Sequence, residues 1–235
     1  MDMVIKKVFV GLPQKMGVKD ADNPMDREWE SGIFKKPIEG PVWLSKTGLH
    51  GDGQADLRNH GGSEKAVFAY PLEHYRYWQK ELPLSEIGPG GMGENFLLEN
   101  VKEEMISIGD TFQVGEAVVQ VSQPRQPCWK PARRFKMKNL ALLIQNTGRT
   151  GWYFRVLKEG NIEEGQNLSL IDRPYPEWTI AKCNEIMHGT VPNPELLRDL
   201  AHCELLAGKW RETLLKRIDN GEPPIIQKRV IGPNE

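Results

Sequence analysis

A chain of 235 residues with 39% hydrophobic and 27% charged side chains can bury a sizeable core without a disulfide framework, and it is too apolar to be disordered. Its formal net charge of −1 excludes a global field drawing it to nucleic acid or an anionic membrane, so any anion site must be a local cluster. Three widely spaced cysteines, Cys128, Cys183 and Cys203, without a CxxC pair argue against a secreted disulfide scaffold and a thiolate zinc site.

Residues 4–10 are predicted as a strand, with Val8 and Val10 on one face. Residues 11–32 are rich in Gly, Pro, Asp and Asn and read as loop. Short apolar pieces follow up to Leu49, cut by Pro37, Gly40 and Pro41, a texture of short barrel or sandwich strands. A strand is predicted over residues 66–70. Pro71 then opens a helix in which Leu72, Tyr75, Trp78 or Gln79, and Leu82 fall near one stripe. A glycine-dense loop, residues 88–93, leads to a short strand at Phe96. The clearest pattern is a hairpin, 111–114 and 117–122, joined by Gly115-Glu116, a type II′ signal. Residues 152–157 and 167–171 read as a further strand pair joined through Glu159-Gly160.

After Pro174-Tyr175-Pro176 the texture becomes helical. One helix spans 179–188. A second starts at Asn193-Pro194-Glu195, with N-cap, N1 proline and acid in place, and is expected to end near Gly208. A third carries Trp210, Leu214 and Ile218. The expected organisation is a mainly β domain over 1–174, a small three-helix unit over 175–222 and a tail over 223–235. Cys183 and Cys203 sit on apolar helical stripes and read as inert core.

The most unusual segment is Ser122-Gln123-Pro124-Arg125-Gln126-Pro127-Cys128-Trp129-Lys130. Two prolines hold the chain extended at a strand end and deny it helix or ladder pairing. Arg125, Lys130, Arg133, Arg134, Lys136 and Lys138 place six cations within 125–138 without an acid. Such a field would stabilise a thiolate, at once a nucleophile and a soft metal ligand. The alternative is a buried cysteine beside a solvated basic face. Thr147-Gly148-Arg149 suits a phosphate through turn N–H groups, hydroxyl and guanidinium, although most such segments are simply turns. His60, with Gly61-Gly62 and Lys65, is equally ambiguous. His50 and His60 lack an i, i+4 spacing, which excludes a helical zinc pair.

Taken in order, Gly48-Leu49-His50-Gly51-Asp52, His60-Gly61-Gly62-Ser63-Glu64-Lys65-Ala66, Gly93-Glu94-Asn95, Gln123-Pro124-Arg125-Gln126-Pro127-Cys128 and Thr147-Gly148-Arg149-Thr150-Gly151-Trp152 resemble the MOSC domain family. These proteins are related to the C-terminal part of molybdenum cofactor sulfurase, and the similarity is to the YiiM-type branch. The helical tail resembles that branch's "3-alpha" unit. The resemblance implies a β-barrel of the pyruvate-kinase-barrel type and a molybdenum cofactor, a phosphorylated pterin dithiolene. It makes Cys128 the metal ligand and catalytic centre. Arg125, Lys130, Asn95, His60, Lys65, Thr147, Gly148 and Arg149 become candidate cofactor contacts.

The resemblance further implies reduction of N-hydroxylated compounds such as hydroxylaminopurines and amidoximes. The sequence contains neither a dinucleotide-binding glycine pattern nor clustered Fe–S cysteines, so electrons are expected from a separate reductase. A competing reading is a carrier of the cofactor or of sulfur that performs no turnover. Binding of nucleic acid by the basic run is not expected, because aromatic interleaving is missing. The N-terminus lacks a signal-peptide pattern and no apolar run approaches the ~20 residues of a membrane span, so the expected address is cytoplasmic. The helical unit is expected to pack on the barrel or to carry homodimer contacts.

Overall fold

The computed structural model describes residues 2–82, 84, 86–189, 193–220 and 226–235. Strand β1 (Val4–Val10) is followed by β2 (Gln14–Met16), β3 (Trp29–Ser31), β4 (Lys36–Pro37), β5 (Val42–Ser45) and β6 (Gly48–Leu49). Helix α1 (Leu57–His60), β7 (Val67–Pro71), α2 (Leu72–Glu81) and β8 (Phe96–Glu99) come next. They lead to β9 (Thr111–Val114), β10 (Ala117–Pro124), α3 (Trp129–Arg134), α4 (Leu140–Thr147), β11 (Trp152–Lys158), β12 (Gly160–Ile162) and β13 (Ser169–Asp172). The chain ends in α5 (Ile180–His188), α6 (Pro194–Ala201), α7 (Gly208–Asn220) and α8 (Gln227–Val230).

Eight strands form one sheet in the order β13-β9-β10-β11-β7-β8-β1-β4. Its neighbours are antiparallel except β7 and β8, which run parallel with α2 as the crossover. The sheet curls back on itself. The chain just before β13 bonds to the start of β1, with Ile5 N–H donating to Gln166 O (2.9 Å) and Leu168 N–H to Met3 O (2.9 Å). This arrangement is the expected mainly β barrel with helices. The interior holds Ile5, Val8, Phe96, Val119, Val121, Trp152 and Phe154. A bulge between Ile5 and Lys7 brings both Ile5 and Val8 inward. All five residues of β7 are buried because both faces are covered. Val67 and Ala69 face the barrel core, whereas Phe68 and Tyr70 join Tyr75 and Trp78 of α2 and Ile144 of α4 in a second cluster.

The β9–β10 hairpin turns as its sequence requires, with Gly115 at φ +52°, a conformation natural to glycine. Two expectations need correction. The segments 152–157 and 167–171 do not pair with each other. Strand β11 already has β10 and β7 on its two edges, so β13 pairs with β9 instead, and β12 after Glu159 pairs with β5. Helix α6 ends at Ala201 rather than near Gly208, and Gly208 begins α7. A tight turn intervenes, fixed by Cys203 N–H to Leu200 O (3.1 Å) and by Ala207 N–H to Ser122 O (2.9 Å).

Helix α6 begins as predicted, with the Asn193 side chain accepting from Glu195 and Leu196 N–H. The helical unit shares the barrel's apolar core through Cys183, Met187, Leu200, Trp210 and Leu214. Arg217 of α7 donates to the Ile186, Met187 and Gly189 carbonyls at the end of α5, satisfying the acceptors a helix leaves free there. The described part of the tail folds back on α3. Asn234 accepts from Arg133 Nε (2.9 Å), and Arg229 donates to Gln145 Oε1 (2.6 Å) and to Pro127 O. No helix among the described residues is long and apolar enough to cross a membrane.

Candidate functional site around Cys128

Strand β10 ends at Pro124, and Arg125 remains tied to the sheet through its N–H to Gly151 O (3.0 Å). The extended Gln126-Pro127 link then delivers Cys128 to the N-cap of α3, with φ −117° and ψ 171°. There Cys128 lines a cleft, together with His60, Lys65, Lys130 and Tyr153. Burial pushes the Cys128 thiol up, but several effects together outweigh it. They are hydrogen bonding and charge from the His60 imidazole, the charge of Arg125 and the Lys130 backbone N–H. The pKa falls from 9.0 to about 6. The sulfur is therefore a thiolate at neutral pH. Cys183 is the opposite case: buried in the core, its thiol is pushed well above the ordinary value, in keeping with an inert core residue.

Arg125 is 5% exposed. Its guanidinium lies 5.1 Å over the Phe68 ring, and its buried Nη1 has no hydrogen-bond partner. A buried charged donor without an acceptor is costly unless a ligand supplies one. Lys130 also lines the cleft. The other four cations of the basic run do not belong to it. Arg133 binds the Pro24 and Pro233 carbonyls (both 2.8 Å), Arg134 the Ile33 and Gly90 carbonyls, Lys136 pairs with Asp26 and Lys138 with Glu235. They hold loops and the tail in place.

Lys65 follows a tight turn that Glu64 anchors by two bonds to Arg155 (3.2 and 2.5 Å). Burial and the nearby charge of Lys209 bring the Lys65 ammonium down to about 8, against the pull of Asp56 and Cys128. It can lose or keep a proton near physiological pH. His60 Nδ1 faces Asp56 Oδ2 at 3.7 Å, beyond hydrogen-bonding distance.

The opposite wall holds a residue the sequence did not single out. Lys35 forms a buried ion pair with Asp52, whose carboxylate also accepts from Gly11 N–H (2.9 Å), Asn95 Nδ2 (3.0 Å) and Gln54 Nε2 (3.2 Å). Burial lowers the Lys35 pKa despite the pull of Asp52. Asn95 lines the cleft, but its amide is occupied by Asp52, Phe9 O and Phe68 N–H. It positions Asp52 more than it offers a free donor. Nothing local marks Lys35 in the sequence, since its partner lies in a turn seventeen residues away.

Thr147, Gly148 and Arg149 are not brought to this cleft. The Thr147 hydroxyl donates back to Leu143 O (2.8 Å), and Gly148 at φ +70° closes α4. The Arg149 guanidinium stacks 3.5 Å from the Tyr77 ring centroid, with Trp78 beyond. Their turn chemistry serves the end of a helix.

A second cleft also meets Cys128. It shares His60, Lys65, Lys130 and Tyr153 with the first and is bounded by Lys209 of α7 and Arg229 of α8. Among the described residues no group of three or more His, Cys, Asp or Glu side chains converges as a metal site. A metal held by the Cys128 sulfur would therefore have to arrive with most of its own ligands.

Residues 56–169 match the family model "MOSC domain", and 178–221 match "YiiM-like, 3-alpha helix domain". Protein YflK of Bacillus subtilis (strain 168) is 43% identical over 192 residues, covering 81% of this chain and 86% of that protein. A protein of Gibberella moniliformis (strain M3125 / FGSC 7600) named "Reductase" is 39% identical over 177 residues. That match covers 73% of this chain but 31% of the fungal protein. The crystal structure of YiiM from Geobacillus stearothermophilus superposes with a TM-score of 0.75 at 34% identity, covering 92% of this chain and 99% of that one. The chain belongs to the MOSC domain family and carries that family's YiiM-like three-helix extension.

Proposed function

We propose that this protein is a molybdenum-cofactor-dependent reductase of N-hydroxylated compounds, with Cys128 as the protein's ligand to the metal. The observation that carries the reading is the low-pKa thiolate beside a buried guanidinium with an unpartnered Nη1. The donor set fits such a group. One soft thiolate suits a metal that arrives already chelated by a dithiolene. Arg125 and Lys130 suit an anionic pterin, and the walls of the cleft are fixed by the Lys35–Asp52–Asn95 knot. The name of the fungal relative supports redox chemistry.

When bound, the cofactor would supply the two-electron exchange that removes oxygen from nitrogen. Conversion of R–NHOH to R–NH2 and water consumes two electrons and two protons. In this reading the electrons come from a separate reductase. Lys65 Nζ, poised near pKa 8 beside Cys128, holds a proton for the departing oxygen. His60 hydrogen-bonds the sulfur and keeps it anionic. Asp52 and Asn95 hold the wall rigid, which limits misplacement of the reacting atoms.

The test is turnover of a hydroxylaminopurine by protein from a cofactor-competent host, with an artificial low-potential electron donor. Amine should form at a rate that collapses in Cys128→Ala. Inertness toward hydroxylaminopurines and amidoximes alike would exclude the reductase reading and favour a carrier.

A further inference from the structure

The outer cleft has a chemistry of its own. Arg58, Lys65, Lys130, Lys209, Lys228 and Arg229 line it, six cations against three anions, the carboxylates of Asp56 and Glu212 and the Cys128 thiolate. Among the described residues none of these six cations forms an ion pair with a carboxylate. Their contacts are instead with neutral acceptors: Lys65 Nζ donates to Asn59 O (2.5 Å), Lys209 Nζ to Arg58 O, and Arg229 to Gln145 Oε1 and Pro127 O. Lys65 and Lys209 are close enough to repel, which helps bring Lys65 down. Like charges gathered from four separate segments oppose folding unless an anion offsets them. Half-buried Trp129 and Tyr153 add aromatic surface to the same cleft, which a heteroaromatic ring can contact. Cys128 lies at the junction of the two clefts.

From this geometry we propose that the outer cleft is the substrate site and selects phosphorylated, nucleotide-level N-hydroxylated bases over uncharged ones, with the C-terminal helices supplying the phosphate-binding charge. The inference rests on the reductase reading for the chemistry at Cys128, but its binding test does not. A base resting against this aromatic surface would place its phosphate toward Lys209 and Lys228, both on exposed helical positions.

The probes are adenosine 5′-monophosphate and adenosine, titrated calorimetrically into the full-length protein purified without metal. The monophosphate should bind at least about tenfold tighter, the order expected of charge-assisted phosphate contacts. Added salt and the variant Lys209→Gln/Lys228→Gln should both shrink the gap. Molybdenum content of that variant, made in a cofactor-competent host, should stay at the wild-type level. Equal binding of the two probes would overturn the proposal. So would loss of molybdenum in the double variant, which would assign these cations to the cofactor's own phosphate. Affinity that climbs with oligonucleotide length would also overturn it, in favour of a nucleic-acid surface. Failure of the reductase reading shows elsewhere, as inertness of molybdenum-loaded protein toward hydroxylaminopurines and amidoximes.

Discussion

At Cys128 burial and local charge act in opposite directions on one proton, and the charge wins. Because the pKa is depressed to about 6, the thiolate persists above that pH and is lost as pH falls through it. Alkylation of metal-free protein by iodoacetamide should therefore follow a midpoint near pH 6 at one cysteine. His60→Ala should move that midpoint upward toward the ordinary thiol range. A midpoint above pH 8 in the wild type would contradict the electrostatic account. The framing of Cys128 by Pro124 and Pro127 was legible in the sequence, since prolines hold the chain extended beyond a strand end. The roles of the neighbouring cations were not. Arg133 and Arg134 bind carbonyls of residues about 44 to 109 positions away, and no local pattern separates a cation that faces a cleft from one that ties loops together. The same holds for Arg149, whose aromatic partner Tyr77 sits on a helix far back in the chain.

Between elements, Asp52 is the point where the end of β1, the approach to β4 and the approach to β8 meet, through Gly11, Lys35 and Asn95. The Lys35 and Asp52 side chains are 6% and 1% exposed, so removing one charge strands the other away from water. Lys35→Met should destabilise the fold by roughly 3–5 kcal/mol in urea unfolding, and Lys35→Met/Asp52→Asn should recover part of that loss. A single-variant cost below about 1 kcal/mol would show that the pair is effectively solvated. Elements with strong local grammar were readable: the Gly115-Glu116 hairpin, the Asn193-Pro194 helix start and strand β1. Strand partners were not, because pairing depends on which edges remain free. The apparent pair 152–157 and 167–171 separated once β10 and β7 had claimed both edges of β11. Gly208 looked like a helix stop and proved a helix start, since the intervening turn is held by Ser122, 85 positions earlier.

For the whole molecule, one barrel positions Cys128 and two further layers finish its surroundings. Helices α2 and α4 cover the outer face of β7, and the C-terminal helices share the barrel's apolar core and wall the outer cleft. Four of the five ordered motifs of the sequence reach the first cleft, through Asp52, through His60 and Lys65, through Gly93 and Asn95, and through Arg125 and Cys128, whereas the 147–149 turn does not. The central proposal is that the Cys128 sulfur holds a molybdenum centre inside this frame. Its most direct test is elemental analysis of protein purified from a cofactor-competent host. Near-stoichiometric molybdenum is predicted for the wild type, with loss in both Cys128→Ala and Cys128→Ser and an unchanged circular dichroism spectrum. Metal content that is unaffected by either substitution would contradict it.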